Sequence, residues 1–254
     1  MKKIIFVFAL LFFACAYASA DGLAVSPSRI DILIERNSKA ESAFSVTNAY
    51  NYAIEVDVTT YDWNTYKGNG SLDVSSWMKI PQTHIALEPG ETKQVPFTVE
   101  TSNTMVGSVS CQVSFATRSQ GGGFILKISN PVYLVIRGTE KVSFAVSNVA
   151  VQGGDGKDIV FSVFLKNSGN VHVRPSGKMT VYDSKKKDVY TTDIPEIYPS
   201  YAGTDVSQPF VAKIPASLNL APGLYKAKIY MTARGKTVKK KIKFRIKSDN
   251  SVIY

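Results

Sequence analysis

The chain has 254 residues, and its 30 lysines and arginines outnumber its 20 aspartates and glutamates, which gives a formal net charge of +10. A hydrophobic content of 44% excludes an intrinsically disordered chain, and two cysteines are too few for a disulfide-stapled fold. The charge is uneven, because residues 21–140 carry nine basic and twelve acidic side chains, whereas residues 141–254 carry nineteen and eight. These net charges of −3 and +11 predict two domains with different surfaces.

The first 20 residues have the pattern of a cleaved signal peptide. Lys2 and Lys3 precede an apolar run over residues 4–14, and small residues occupy positions 18–20. Eleven apolar residues are too few to span a bilayer. We therefore expect export to the periplasm or secretion. The alternative is lipoprotein processing at Cys15, where phenylalanine replaces the leucine that usually begins such a site.

Once residues 1–20 are removed, Cys111 is the one cysteine left. It lies on the apolar side of a clean alternation over residues 109–115, which predicts a buried structural thiol rather than a nucleophile.

The mature sequence consists of short alternating runs separated by Asn, Gly, Pro and Ser clusters, which is typical of antiparallel sandwiches. Residues 44–48 (FSVTN) are echoed by residues 161–167 (FSVFLKN), and this weak repeat supports two units. We predict an all-β chain of two tandem immunoglobulin-like β-sandwich domains, over residues 21–140 and 141–254. Tyr225, which follows a Pro-Gly turn, is a candidate for the tyrosine corner of the second domain.

The segment over residues 121–137, GGGFILKISNPVYLVIR, combines a glycine-rich tip with an extended run. Phe124, Leu126 and Ile128 share one face of this run, because alternate residues of a strand point the same way. Two interpretations stay open: an ordinary core strand, or a strand donated to another protein.

Three elements resemble the PapD-like periplasmic pilus-assembly chaperones, and they occur in the order found in that family. They are residues 27–32 (PSRIDI), Pro81 with the LEPG turn at residues 87–90, and the long strand over residues 121–136. The resemblance covers roughly residues 23–140, whereas the second domain departs from the family.

The resemblance implies a chaperone that binds an incomplete immunoglobulin-like subunit and lends it a strand, with Phe124, Leu126 and Ile128 replacing the missing core residues. Arg29 matches the arginine of a basic pair that binds the subunit's terminal carboxylate. Tyr133 stands where the family has the second cation, a lysine. The implied partners are a secreted or pilus-like subunit and an outer-membrane assembly pore. An exposed strand charge or a domain-interface ion pair are alternative roles for Arg29.

The last long strand carries basic side chains on its outer face: Lys239, Lys241, Lys243, Arg245 and Lys247. Such a stripe either protects an edge strand against aggregation or binds anionic material. The second choice supports an alternative function, a structural or adhesive cell-envelope protein that binds an anionic surface polymer.

We expect no enzyme, cofactor, metal site or nucleic-acid partner. His84 and His172 are the only histidines, and neither has a partner at metal-ligand spacing.

Overall fold

The computed structural model describes residues 22–63, 72–118, 125–154, 156–203 and 209–254, so the predicted signal peptide lies outside the described residues. The described residues form two β-sandwiches, each with its own hydrophobic core. The predicted all-β fold of two tandem immunoglobulin-like domains is confirmed. Among these residues, no helix has the length and apolar character needed to cross a lipid bilayer.

The first sandwich packs a four-stranded sheet, in the order β1-β3-β7-β5, on a five-stranded sheet, in the order β2-β9-β8-β4-β6. Its strands are β1 (Leu23–Ser26), β2 (Ile30–Ile34), β3 (Lys39–Asn48), β4 (Ile54–Asp62), β5 (Met78–Lys79), β6 (His84–Leu87), β7 (Thr92–Glu100), β8 (Ser108–Thr117) and β9 (Lys127–Ile136). A 3₁₀ turn over Val74–Ser76 precedes β5.

Of residues 27–32, only residues 30–32 lie in a strand, because residues 27–29 connect β1 to β2. The chain leaves β1 at Ser26 and starts β2 only at Ile30. β1 pairs with β3 in one sheet, whereas β2 runs parallel to β9 in the other. The segment between them therefore carries the chain from one sheet to the other, with Arg29 immediately before β2.

The core of the first sandwich is built from the inward parity of each strand. Phe44 lies between the two sheets, with its ring centroid 5.6 Å from that of Phe97 and 5.4 Å from that of Phe115. All three rings are buried. Aromatic pairs at such distances contribute about 1 kcal/mol each beyond the burial of their surface.

The second sandwich packs a three-stranded sheet, in the order β10-β11-β14, on a five-stranded sheet, in the order β13-β12-β15-β16-β17. Its strands are β10 (Phe144–Gly154), β11 (Lys157–Asn167), β12 (Ser176–Tyr182), β13 (Asp188–Ile194), β14 (Phe210–Ile214), β15 (Gly223–Ala233), β16 (Lys236–Ile246) and β17 (Val252–Ile253). A 3₁₀ turn covers Ala216–Leu218. The Tyr225 hydroxyl donates to the carbonyl of Ala221 at 2.7 Å, as a tyrosine corner requires.

The sequence repeat corresponds to a buried asparagine at the end of one strand in each sandwich. Asn48 ends β3, and its side-chain amide donates to the carbonyl of Leu87. Asn167 ends β11, and its amide donates to the carbonyls of Val171 and Ser200. Because loop carbonyls buried without a donor are costly, these amides fix the loops beside them.

A cluster of short contacts ties the two sandwiches together. Asn170 accepts a backbone bond from Ser108 at 3.0 Å, and its side chain bonds to the backbone of Thr139 and Lys141. Gly107 has φ +67°, and a Cβ atom there would lie 2.2 Å from the Asn170 carbonyl oxygen. Only glycine fits such an approach, so the junction between the domains is closely packed at this point.

Candidate functional site

The N-terminal part of β9 is paired on one side only. β8 pairs with β9 from Lys127 to Val135, whereas β2 pairs with it only from Val132 onward. Asn130 closes the intervening gap with a side-chain bond of 2.7 Å to the carbonyl of Pro27. Residues 127–129 therefore form an edge, here called the open edge, with no described strand on the side away from β8.

Backbone N–H and C=O groups at the open edge point away from β8, as the hydrogen bonds of the neighbouring residues show. Thr117 donates to the carbonyl of Leu126, so the even residues of this segment are directed at β8. Further along, Ile136 donates toward β8 and Arg137 donates to Ile34 on the β2 side. Because successive residues of a strand alternate in direction, the backbone groups of Lys127 and Ser129 face the open edge.

The core-facing side chains of β9 become progressively more exposed toward its start. Val132 and Leu134 are fully buried in the core of the first sandwich, and Ile128 only packs partly against it. Leu126, on the same face, is 37% exposed. Phe124 lies outside the described residues. The apolar face of β9 thus continues beyond the core that its own domain supplies.

The opposite face of β9 contacts the second domain through Tyr133. Its ring centroid lies 4.5 Å from that of His172, and its hydroxyl is 3.2 Å from the hydroxyl of Tyr201. The Arg174 guanidinium carbon lies 4.7 Å from the centre of the Tyr133 ring, which is a cation–π contact. Tyr133 is therefore buried at the interdomain cleft. The same strand supplies both the open edge and one wall of this cleft.

Arg29 lies at the domain interface and forms ion pairs with two carboxylates of this chain. Its Nε is 3.2 Å from an Asp31 oxygen, and its Nη1 is 3.3 Å from an oxygen of Glu196 in the second domain. The domain-interface ion pair that the sequence left open is therefore present. Both side chains of the Glu196 pair are more than one-third exposed, so a competing carboxylate has access to Arg29.

A buried histidine connects the charged groups of the cleft. The Nε2 atom of His172 is 3.4 Å from an Asp31 oxygen and 3.4 Å from a nitrogen of Arg234. Burial lowers the pKa of His172, and the charges of Arg234 and Arg174 lower it further against the opposing effect of Asp31. His172 is thus neutral at neutral pH. The hydrogen bond from His172 lowers the pKa of Asp31, as do the charges of Arg174 and Arg29.

Arg174 is the cation of the cleft with spare hydrogen-bonding capacity. Its Nε and Nη2 atoms are buried and have no hydrogen-bond partner among the described residues. In the sequence, the neutral phenol of Tyr133 stands where the resemblance implies a second cation. Arg174, a cation beside Tyr133 in the structure, was not among the residues predicted from the sequence. The one available signal was the alternation of His172 and Arg174 in the segment that follows the turn at residues 167–170 of the second domain.

Lys127 does not reach the cleft. Its Nζ lies 4.4 Å from the centre of the Tyr61 ring and 3.3 Å from the Tyr61 hydroxyl, on the outer surface of the first domain.

Lys239, Lys241, Lys243 and Arg245 of β16 and Lys247 after it are exposed, as predicted, and β16 pairs with β15 along its whole length. On its other side, β16 pairs with β17 only at Arg245 and Ile246. The rest of this side is an edge, so both the protective and the binding roles of the stripe stay predictions.

Cys111 and His84, which the sequence offered as candidates for catalysis or metal binding, lie in the core and on the surface of the first domain. Cys111 is buried, and desolvation together with the Asp62 carboxylate raises its pKa to about 12, so the prediction of a structural thiol is confirmed. His84 is on the surface beside Asp57 and Glu55. Across the described part of the chain, no three His, Cys, Asp or Glu side chains are grouped closely enough to hold a metal ion.

No family model and no curated protein match this chain. Solved structures of fimbrial chaperones match it. The YadV chaperone is 10% identical with a TM-score of 0.46, over 87% of this chain and 98% of that one. This chain is similar to PapD-like fimbrial chaperones.

Two further similar structures are complexes. One is the SafA pilin with the SafB chaperone of Salmonella enterica, at 10% identity and a TM-score of 0.44, over 87% of this chain and 96% of that one. The other is the CsuC–CsuE chaperone–tip subunit complex of Acinetobacter baumannii, at 12% identity and a TM-score of 0.41, over 76% and 89%. Because all three TM-scores are below 0.5, the functional assignment depends on the geometry of β9.

The buried His172 predicts a pH-dependent stability. The unfolded chain holds this imidazole at its ordinary pKa of about 6.5, whereas the folded chain holds it lower. As the pH falls below about 6.5, the unfolded state takes up a proton first, so folding stability is lost. We expect this group to lower the free energy of unfolding as the pH falls from 7.5 to 5.5, measured by urea denaturation.

The variant His172→Gln removes this part of the pH dependence, and His84→Gln is the matched surface control that retains it. An identical pH profile in the wild-type chain and in His172→Gln would contradict the assignment.

Proposed function

We propose that this chain is a periplasmic, chaperone-like assembly factor that binds an incomplete immunoglobulin-like subunit by β-strand donation. The observation that carries the proposal is the exposure gradient on the core-facing side of β9, which runs from the buried Val132 and Asn130 through the partly buried Ile128 to Leu126, one residue before the strand and 37% exposed. The same segment has an open edge at residues 127–129.

Strand donation needs both features at once. The outward backbone groups of Lys127 and Ser129 supply hydrogen bonds to a strand of the subunit, and these bonds are independent of side-chain identity. Leu126 and Ile128, with Phe124 before them, enter pockets of the subunit core and supply specificity. The first domain buries Leu134 completely but leaves Leu126 37% exposed, so Leu126 is accessible to a partner.

The proposal also assigns the subunit's terminal carboxylate to the interdomain cleft, which has to open for this binding because the Nε and Nη2 atoms of Arg174 are buried. Arg174 has two nitrogen atoms without partners among the described residues, and Arg29 is held by exposed carboxylates that a competitor displaces at low cost. We propose that Arg174 supplies the positive charge that Tyr133 lacks, with Arg29 as the second cation. A guanidinium binds a carboxylate through two parallel, charge-assisted bonds. Delivery of the subunit to an outer-membrane pore belongs to the same proposal.

The variant Leu126→Asp tests the donor strand. It places a charge in the subunit core, so we expect at least a tenfold loss of the proteins that the wild-type chain captures from periplasmic extract, quantified by mass spectrometry. Leu218→Asp is the matched control, because Leu218 is also 37% exposed but lies on the 3₁₀ turn of the second domain. Equal capture by both variants, with both folded, would refute strand donation.

The variant Arg174→Gln tests the carboxylate anchor. Because a charge-assisted bond contributes about 2 kcal/mol, we expect roughly a thirtyfold weaker affinity for a captured subunit, measured by titration calorimetry. Arg137→Gln is the control, since Arg137 pairs with Glu35 on the surface. The same comparison of the wild-type chain with Arg174→Gln is made with a subunit that lacks its terminal residue. If the substitution weakens the affinity for this shortened subunit as much as for the intact one, Arg174 does not bind the terminus.

A further inference from the structure

The outer surface of β15 and β16 carries six cations in two facing rows, here called the cationic face: Lys226, Lys228, Lys239, Lys241, Lys243 and Arg245. Lys226 lies directly opposite Lys243, and Lys228 lies directly opposite Lys241. With about 7 Å between alternate residues of a strand, the row on β16 is about 20 Å long. The sequence showed one of these rows but not the second beside it.

The cationic face has little acidic compensation. Neither β15 nor β16 contains an aspartate or glutamate. Within the described chain, the acidic side chains in register with this surface are Asp188 and Asp193 on β13, which is separated from β16 by the two strands β12 and β15. Asp193 pairs with Lys178. The positive potential of the six cations is therefore little reduced by neighbouring carboxylates.

This arrangement costs the folded chain stability. Like charges directly opposite each other on neighbouring strands are destabilising. Desolvation lowers the pKa of Lys226, and the charges of Lys241, Lys228 and Lys243 lower it further. Protection of an edge needs charges on β16 but none on β15, which is an interior strand of the sheet. An anionic partner relieves the repulsion.

One end of the cationic face is apolar. Leu224, Arg245 and Ile253 lie in register on three adjacent strands, so they point to the same side of the sheet. Leu224 is 45% exposed and Ile253 is 47% exposed. Three consecutive exposed lysines at residues 185–187 follow Tyr182, which is in register with Lys226 at the same end.

We propose that the cationic face and its apolar end form a docking surface for the anionic lipid bilayer. The lysines extend their ammonium groups to the phosphates, and Leu224 and Ile253 enter the interfacial region between headgroups. The sheet surface is broad enough for several phosphates to bind at once. An acidic polysaccharide also neutralises lysines, but it offers no apolar phase for Leu224 and Ile253.

The experiment measures partitioning of residues 21–254, which contain every described strand, onto vesicles. Vesicles of about one-third phosphatidylglycerol in phosphatidylcholine are compared with pure phosphatidylcholine in a sedimentation assay at about 0.1 M salt. At about fivefold per lysine, the pair Lys241→Gln and Lys243→Gln lowers partitioning about 25-fold. The control pair Lys157→Gln and Lys213→Gln makes the same charge change on the opposite sheet and leaves partitioning within about twofold.

A second variant separates the bilayer from a polymer. Leu224→Ser with Ile253→Ser leaves every charge in place, and we expect it to lower partitioning about tenfold at about 0.5 M salt, where the electrostatic attraction is screened. Equal losses from both lysine pairs would overturn the proposal by showing a general charge effect. Retention on immobilised alginate without vesicle binding, or an unchanged apolar variant, would overturn it in favour of an acidic polymer. Thermal unfolding of each variant confirms that it is folded.

Discussion

The register between β2 and β9 sets what the first domain can do. β2 begins opposite Val132, so the part of β9 before this residue has a neighbour on one side only. A full-length β2 would close the sheet and leave no outward backbone groups. The late start of β2 follows from the crossing of the chain between sheets at residues 27–29, which is also the segment that places Arg29 at the domain interface.

β9 joins two surfaces through its alternating faces. Its even residues face the core, and the exposure on this face increases from Val132 through Ile128 to Leu126, just before the strand. Among its odd residues, Tyr133 contacts His172 and Arg174 of the second domain. Ile128 and Tyr133 are five residues apart, which is about 17 Å along a strand. Because β2 occupies the same edge of β9 from Val132 onward, a subunit strand that pairs beside Ser129 leaves β9 before Tyr133 and has to pass over the start of β2 to bring its end to Arg174.

Local patterns in the sequence predicted much of this structure. Period-two alternation predicted the strands, the shared face of Leu126 and Ile128, the burial of Cys111 and the outward direction of the alternate basic residues of β16, because a strand's two faces are set by residue parity alone. The cleft could not be predicted in this way. His172 and Asp31 meet only after both sandwiches fold and dock, and no local pattern encodes that docking. The sequence likewise predicted only the row of cations on β16. The second row could not be predicted, since the pairing of Lys226 with Lys243 depends on the register between β15 and β16.

Residue-resolved amide hydrogen exchange, in the free chain and in the complex with a captured subunit, tests the central claim most directly. The claim predicts that the amides of Lys127 and Ser129 exchange rapidly in the free chain and become protected in the complex. The amide of Ile128, which faces β8, stays protected in both. Slow exchange of Lys127 and Ser129 in the free chain, or unchanged exchange in the complex, would contradict the account.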